Sequence, residues 1–274
     1  MSVLRLLALA LLVPLLATTG SPRSEAATAR AEPRHDRLAR IEATGVLRAC
    51  VWPDYYGISF RNPRSQQLSG LEIDNARELG RMLGVDVVFV DSSFSRLVDD
   101  LLADRCDIAT FAIGITHERQ QHLRFTRPHL ASEIYAISAR SNRRVQQWAD
   151  IDRPGTVVAV AKGTLHEGVM RERLRAAELR VLDTPAAREQ EVMSGRADVF
   201  MTDYPFSRRL LDQSDWARLI SPPGRYHVTP YGWAMAPGDE RFHARVDQAL
   251  ATMLSDGRLH AHARRHGLEP IVAR

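Results

Sequence analysis

From residue 106 to residue 119 the chain reads Cys-Asp-Ile-Ala-Thr-Phe-Ala-Ile-Gly-Ile-Thr-His-Glu-Arg. The apolar run Ile108–Ile113 predicts a buried strand, a glycine follows where the chain turns, and Thr116 can cap a short helix that carries Arg119 in its first turn. A helix N-terminus presents unpaired backbone N–H groups, and an arginine adds a planar fork of donors that suits a carboxylate. The stretch therefore predicts an α/β sheet with a carboxylate site at the end of one of its strands.

Strand and helix patterns alternate on both sides of this stretch. The first group is strand Leu47–Val51, helix Gly70–Leu83, strand Val85–Val90, helix Ser93–Ala103 and strand Asp107–Ile113. The second group is strand Gly155–Ala161, helix Glu167–Ala177, strand Leu179–Leu182, helix Pro185–Met193 and strand Ala197–Asp203. Each βαβαβ order favours a doubly wound, mostly parallel sheet.

Two segments match between these groups. Leu102-Ala-Asp-Arg-Cys-Asp-Ile-Ala-Thr110 and Val192-Met-Ser-Gly-Arg-Ala-Asp-Val-Phe200 both read as a helix end, a polar turn, an aspartate and an apolar strand. A repeated supersecondary pattern indicates two lobes built on one plan.

The chain must cross between the two lobes twice. The crossings are expected near Glu133–Ala139 and Tyr226–Gly232, which assigns residues 45–135 and 229–274 to lobe 1 and residues 136–228 to lobe 2. Two lobes joined by two crossings can close around a small ligand by a hinge motion.

The N-terminus predicts export. After a basic start, the apolar run Leu6–Ala17 is too short to span a bilayer, and the following small and polar residues suit cleavage after Ala26 or Ala29. We expect a signal peptide over residues 1–29, a leader over residues 30–44 and a periplasmic mature protein; an uncleaved anchor is the alternative.

Charge and cysteine content narrow the class of protein. The formal net charge is +4, but the arginines are scattered and no basic run alternates with aromatic residues, so nucleic acid is not an expected partner. Cys50 and Cys106 are the only cysteines. In an oxidising compartment they fit either a disulfide or two buried thiols, and two cysteines alone do not make a metal site. No cofactor or metal is expected.

Several short segments carry a resemblance through their order and spacing. They are Leu47-Arg-Ala-Cys-Val-Trp-Pro-Asp-Tyr55, Gly70-Leu-Glu-Ile-Asp74, Ser93-Phe94, Asp107-Ile108 through Gly114-Ile-Thr-His-Glu-Arg119, Lys162-Gly-Thr164 and Gly195-Arg-Ala-Asp-Val-Phe-Met-Thr-Asp203. From about Leu47 onward the chain resembles family 3 of the periplasmic solute-binding proteins, which serve polar amino-acid ABC transporters. The resemblance implies a two-lobe type II periplasmic-binding-protein fold, an amino-acid or related carboxylate ligand, a membrane permease as partner and a monomer.

The resemblance also implies a set of ligand-binding residues. Arg119 would grip the ligand α-carboxylate, with Ile113, Gly114 and Thr116 beside it. Gly114 stands where many relatives carry a serine, so only backbone N–H is available there. Asp203 would pair with the α-amino group; its alternative role is to cap the turn before Tyr204-Pro205.

Further candidates surround these residues. Tyr55 and Phe94 match positions where aromatic rings sandwich the ligand side chain, although isolated aromatics are as often core residues. Thr164 and His166 stand at a helix start and would add a second anion contact, or Thr164 would serve as a plain cap.

Trp52 or Pro53 stands near the position where binders of basic amino acids carry an Asp, and Phe111 replaces a small polar residue at the cleft. Together they argue against a lysine or arginine ligand and toward a less polar side chain.

An enzyme is the main alternative. The resemblance extends to the secreted cyclohexadienyl dehydratases, which act on prephenate or arogenate and share the cysteine pair and Asp54-Tyr55. Those relatives carry a Glu where this chain has Phe206, and dehydration needs a positioned proton donor. Asp54, Glu167 and Lys162 are possible substitutes, so we expect a binding protein rather than a lyase. A periplasmic accessory or sensor protein is the third possibility.

Three histidines near the C-terminus raise the question of a metal site. His262 and His266 share one helix face at i, i+4, and His260 precedes them. A solvated C-terminal helix is the expected explanation.

Overall fold

The computed structural model describes residues 36–273. The expected signal peptide lies outside them. The helices are α1 (Arg37–Thr44), α2 (Leu71–Leu83), α3 (Leu97–Leu102), α4 (His117–Gln120), α5 (Leu165–Arg173), α6 (Pro185–Met193), α7 (Tyr204–Gln213), α8 (Glu240–Ser255) and α9 (Arg258–Arg265), with short 3-10 helices at Trp148–Asp150 and Glu269–Ile271. Across this described part of the chain, every helix falls short of the length and hydropathy that crossing a membrane requires.

The strands form two larger sheets and one small one. They are β1 (Val46–Val51), β2 (Asp54–Tyr55), β3 (Ser59–Arg61), β4 (Leu68–Ser69), β5 (Asp86–Asp91), β6 (Ile108–Gly114), β7 (Arg124–Phe125), β8 (Leu130–Ser132), β9 (Ile134–Ala139), β10 (Val157–Ala161), β11 (Glu178–Leu182), β12 (Val199–Asp203), β13 (Ala217–Ile220) and β14 (Thr229–Met235).

The two larger sheets share one plan. The first has the order β5-β1-β6-β14-β7 with β8 paired to β14, and the second has the order β11-β10-β12-β9-β13. In each, three strands run parallel, and the strand that enters from the other lobe, β14 or β9, pairs antiparallel with the third. The two-lobe α/β fold is confirmed, with sheets that are mixed because of these crossing strands.

The segments that match in sequence take equivalent places. β6 and β12 are each the third strand of their sheet, and every residue of both strands is buried. Strands covered on both faces read as continuous apolar runs, which explains the signal in the sequence. Their carboxyl ends, at Gly114 and Asp203, are where the functional residues described below begin.

The N-terminal leader region contains a helix. The side chain of Asp36 caps α1 by accepting from the N–H of Ala39, and Gly45 ends the helix with a φ of 68°. Leu38 and Ile41 are buried against the first lobe, at the i, i+3 spacing of one helix face.

A disulfide joins Cys50 in β1 to Cys106, two residues before β6. The parallel pairing of Cys50 with Ala109 brings the two strands together, and the Cα atoms of the cysteines are 5.6 Å apart. The bond closes a loop that contains more than half of residues 45–135, the first of the two segments that form lobe 1.

Two predicted helices are shorter than their sequence patterns indicate. The expected helix Glu167–Ala177 begins at Leu165 but ends at Arg173. The expected helix Ser93–Ala103 begins only at Leu97, because residues 94–96 form a turn. This turn carries Phe94 into the space between the lobes.

Candidate functional site

A cavity lies between the carboxyl ends of β6 and β12 and takes its walls from both lobes. It is lined by aromatic, charged and small side chains: Trp52, Tyr55, Phe94, Ala112, Gly114, Arg119, Thr164, Leu165, His166, Arg188, Thr202, Asp203, Phe206 and Tyr231. An apolar, concave site with a few convergent polar groups at strand ends is typical of small-ligand binding.

Arg119 enters the cavity from the one-turn helix α4. The Oγ1 atom of Thr116 caps this helix by accepting from the backbone N–H of Arg119 at 3.3 Å. The guanidinium donates to the carbonyl of Gly114 and, across the cleft, to the carbonyl of Gly163, each at 3.0 Å. Its central carbon lies 5.2 Å from the ring centre of Phe94, within cation–π range.

Arg119 is a buried guanidinium without an ion-pair partner in the part of the chain that the structure describes. Burial lowers the pKa of Arg119 to about 10, which still leaves the side chain charged at neutral pH. Among the described residues, no Asp or Glu oxygen lies within ion-pair distance of it. A buried cation that is bonded only to carbonyls is suited to receive an anion.

Asp203 lies at the end of β12 and is 1% exposed. Its Oδ1 atom accepts from the N–H of Phe206 at 3.3 Å, and its Oδ2 atom accepts from the hydroxyls of Tyr55 and Tyr231, the latter at 2.9 Å. Tyr55 and Tyr231 belong to the first lobe, so these bonds cross the cleft. Burial raises the pKa of Asp203 despite the three donors.

Arg188 is a second buried arginine, and the sequence analysis missed it. It lies on α6, is 2% exposed, and donates one hydrogen bond, from Nη1 to the carbonyl of Met201 at 2.9 Å. Burial lowers its pKa to about 10. The signal in the sequence was an arginine on the buried face of a helix, since Pro185, Arg188 and Val192 have i, i+3, i+7 spacing.

His166 faces the cavity from the start of α5. It is 8% exposed, and neither ring nitrogen has a hydrogen-bond partner among the described residues. Burial, followed by the charges of Arg188 and Arg119, lowers the pKa of His166 to about 3, so the ring is neutral at physiological pH. The hydroxyl of Thr164 donates to the carbonyl of Ala161 at 2.7 Å instead of capping the helix.

This burial makes a prediction about acid stability. Because the folded-state pKa of His166 lies below the unfolded value of 6.5, the unfolded chain alone takes up this proton between pH 6.5 and about 3. The free energy of unfolding therefore decreases as the pH is lowered through that window, by up to about 1.4 kcal/mol per pH unit from this group. We predict that His166→Phe reduces this slope in urea unfolding measured at pH 6, 5 and 4. His122→Phe, at an exposed histidine, should leave the slope unchanged; equal slopes for all three proteins would contradict the prediction.

The aromatic residues form one wall. The ring centre of Phe94 lies 4.9 Å from that of Trp52 and 6.0 Å from that of Tyr55, in edge-on arrangements. Phe111 packs behind Phe94 at 5.0 Å and is not among the cavity-lining residues. Phe111 thus supports the wall from the core, and its predicted place at the cleft is wrong.

Most of the nine ligand-binding candidates come together in the cavity. Those that line it are Tyr55, Phe94, Gly114, Arg119, Thr164, His166 and Asp203. Ile113 and Thr116 are not among the lining residues. Ala112 and Gly114 face the cavity, and Ile113 between them does not, because successive side chains of a strand point to opposite faces.

Gly114 lies close to its neighbours. A Cβ atom there would be 3.1 Å from Cγ2 of Thr229 and 3.4 Å from Nη1 of Arg119. The absent side chain leaves room for the guanidinium of Arg119 to reach the carbonyl of Gly114.

The C-terminal histidines have separate partners, and the expected solvated position is wrong for His262, which is buried. His262 Nδ1 lies 2.7 Å from the Asn75 side-chain oxygen, and His266 Nε2 lies 2.9 Å from Oδ2 of Asp74. Within residues 36–273, no group of three or more His, Cys, Asp or Glu side chains is arranged to hold a metal ion.

Comparison with known proteins identifies the family. Residues 47–269 match the family described as bacterial extracellular solute-binding proteins, family 3. The chain is 31% identical over 225 residues to a cyclohexadienyl dehydratase from Pseudomonas aeruginosa, covering 82% of this chain and 83% of that protein. It is 25% identical over 224 residues to the L-cystine-binding protein TcyJ of Escherichia coli, with the same coverage of both chains.

Solved structures agree with this assignment. The crystal structure of an ancestral amino acid-binding protein, a precursor of cyclohexadienyl dehydratase, superposes with a TM-score of 0.77 at 28% identity, covering 84% of this chain and 98% of the other. The fold is that of the type II periplasmic binding proteins, and this chain belongs to the bacterial extracellular solute-binding proteins, family 3.

Proposed function

We propose that this protein is periplasmic, captures a small carboxylate ligand, an amino acid or a close relative, between its two lobes, and delivers it to the permease of an ABC transporter. The observation that carries the proposal is Arg119, a buried guanidinium in the cavity whose bonded partners are two carbonyl oxygens. A carboxylate would supply the charge-assisted bonds that carbonyls cannot.

Asp203 supports an amino-acid ligand. A carboxylate has about four acceptor positions, and three are taken by Tyr55, Tyr231 and the N–H of Phe206. The remaining one suits an ammonium group. A ligand α-carboxylate on Arg119 and an α-amino group on Asp203 would connect the two lobes.

The relatives support delivery to a transporter. They include the L-cystine-binding protein TcyJ and the ABC transporter glutamine-binding protein GlnH of Bacillus subtilis. The first is named for binding L-cystine, and the second for binding glutamine as part of an ABC transporter.

A binding panel and an uptake assay test this function. Isothermal titration calorimetry against amino acids and organic acids should find at least one ligand with micromolar or tighter affinity. Uptake of that ligand, labelled, should fall when the gene is deleted and return with the wild-type gene. Binding without any effect on uptake would favour the accessory or sensor role, and no binding in the panel would contradict the proposal.

Gly163 supplies a test of lobe closure. Its φ is +73°, and a Cβ atom would lie 2.6 Å from the backbone of Ser95 in the opposite lobe. We predict that Gly163→Ala holds the lobes apart and weakens ligand binding by about tenfold or more, because the closed state becomes less populated. Calorimetry measures the affinity, and small-angle X-ray scattering should find the liganded variant more open than the wild type.

The matched control is Gly195→Ala. Gly195 has a φ of +74° and no atom within 4 Å of its Cβ position, so the substitution introduces the same backbone strain away from the cleft. Equal affinities for the two variants would contradict the closure prediction.

A dehydratase is the second candidate, favoured by the 31% identity to cyclohexadienyl dehydratase. Phe206, which by the resemblance in sequence takes the place of a Glu of the dehydratases, lines the cavity, and Asp54, Glu167 and Lys162 are not among the lining residues. Glu167 instead accepts from the N–H of Gly163 at 2.7 Å. Incubation with prephenate or arogenate, followed by chromatography, should give no aromatic product; turnover would replace the transport proposal with the enzyme.

A further inference from the structure

We propose that the ligand carries a second anionic group, that Arg188 binds it, and that the protein therefore selects small dicarboxylates. This inference rests on the proposed function, because it takes Arg119 as the site of the first carboxylate.

Arg188 is the least compensated charge in the cavity. It is 2% exposed, yet its Nε and Nη2 atoms have no hydrogen-bond partner among the described residues. Guanidinium groups carry five N–H donors, and a buried polar group without a partner is costly. The side chain lines the cavity, so these free donors are available to a bound molecule.

No carboxylate of the described residues bonds to Arg188, although the nearby charges of Glu189 and Asp203 favour its charged form. Its guanidinium carbon lies 4.5 Å from the ring centres of both Phe200 and Phe206, which fix its orientation. Asp203 is the acidic group of the cavity, but its oxygens accept from Tyr55, Tyr231 and the N–H of Phe206. The two aromatic rings and the hydrogen bond to the carbonyl of Met201 therefore fix the orientation of the Arg188 guanidinium and leave some of its N–H donors unused. A guanidinium held in this way is suited to bind a carboxylate.

The charges of the cavity point to the same ligand class. Arg119 and Arg188 are both positive, Asp203 contributes one negative charge when ionised, and His166 is neutral, so the lining carries a net positive charge. A zwitterion with a neutral side chain leaves that charge in place, and a cationic side chain adds to it. A ligand with a second carboxylate cancels it.

Two kinds of dicarboxylate share this chemistry, and Asp203 distinguishes them. An amino dicarboxylate would place its ammonium group against ionised Asp203. A dicarboxylate without an amino group would require Asp203 to be protonated, and burial already raises the pKa of that residue. Binding of the second kind would therefore take up a proton.

The experiment compares acids with their neutral amides. Wild-type protein is titrated with L-glutamate, L-aspartate, glutarate, succinate and prephenate, and with L-glutamine and L-asparagine. We expect at least one dicarboxylate to bind about 100-fold more tightly than any neutral amide, because the second carboxylate gains a buried charged partner. Titration in two buffers of different ionisation enthalpy then reports whether a proton is taken up, which separates the two kinds of ligand.

Arg188→Met is the decisive variant, since it keeps the volume and removes the charge. It should reduce the dicarboxylate affinity about 100-fold and change the affinity for a neutral amide by less than about threefold. It should also raise the melting temperature of the ligand-free protein, because an uncompensated buried cation is removed. Arg171→Met, at an exposed arginine of α5, is the control and should change neither affinity.

The outcomes separate this inference from the proposed function. If a neutral amino acid binds to the wild type at least as tightly as every dicarboxylate, the dicarboxylate inference is wrong and the capture of an amino acid stands. The inference is also wrong if Arg188→Met lowers the melting temperature and weakens all ligands alike, since that describes a structural arginine. If none of these seven compounds binds but another amino acid does, the inference alone is wrong; if nothing in the wider panel of amino acids and organic acids binds, the proposed function itself fails.

Discussion

Arg119→Met should weaken ligand binding by about 100- to 1000-fold, the equivalent of roughly 3–4 kcal/mol. The expected loss is large because the guanidinium is buried and the ligand carboxylate would be left without a charged partner in a site shielded from water. Calorimetry with the ligand found in the panel measures it. Arg119→Lys should recover part of the affinity, since it keeps the charge but not the planar fork of donors.

Two comparisons make this result specific. Arg124→Met, at an exposed arginine just after α4, should bind as tightly as the wild type. The melting temperature of ligand-free Arg119→Met should stay near that of the wild type, because the guanidinium bonds, within residues 36–273, to two backbone carbonyls, those of Gly114 and Gly163. An unchanged affinity would contradict the assignment of Arg119 to the ligand carboxylate.

Among the predictions made for this protein, loss of the Cys50–Cys106 disulfide should lower the free energy of unfolding most. The bond spans 56 residues of sequence, and the chain-entropy relation gives about 4 kcal/mol for a loop of that size. For a domain of this length that corresponds to a drop in melting temperature of about 8–16 °C. The double variant Cys50→Ala/Cys106→Ala, followed by thermal unfolding, measures it.

A reducing agent provides the internal control. Dithiothreitol should lower the melting temperature of the wild type towards that of the double variant and leave the double variant unchanged. If the reductant and the double substitution both leave the melting temperature within about 2 °C of the wild type, the predicted role of the disulfide is wrong.

The sequence predicted the parts of the fold that repeat along the chain. Continuous apolar runs marked β6 and β12, and the match between residues 102–110 and 192–200 indicated two lobes on one plan. The antiparallel direction of β9 and β14 could not be predicted from the sequence. The direction of each strand depends on the lobe from which the chain enters the sheet. That information lies in the crossings and not in any local pattern.

The candidate site was predicted best where a residue directly follows a strand. Arg119 and Asp203 could be placed because the ends of β6 and β12 fix their positions. Arg188 could not be placed in this way, because it reaches the cavity from the buried face of a helix. An arginine on a helix is normally predicted to be exposed, and only the strand packed against α6 shows that this one is buried. Ile113 was chosen beside Gly114, but alternate residues of β6 face the cavity.

The status of the cysteines also depended on pairing across the sheet. Sequence alone left a disulfide and two thiols equally open, because Cys50 and Cys106 are adjacent only when β1 and β6 are neighbours. Strand order decides this distance, and strand order is a property of the whole lobe.

A crystal structure of the protein with its ligand tests the central claim most directly. The account predicts closed lobes, with a ligand carboxylate oxygen within about 2.7–3.1 Å of a guanidinium nitrogen of Arg119 and the rest of the ligand between Phe94 and Asp203. A ligand bound outside this cavity, or bound inside it with its carboxylate directed away from Arg119, would contradict the account.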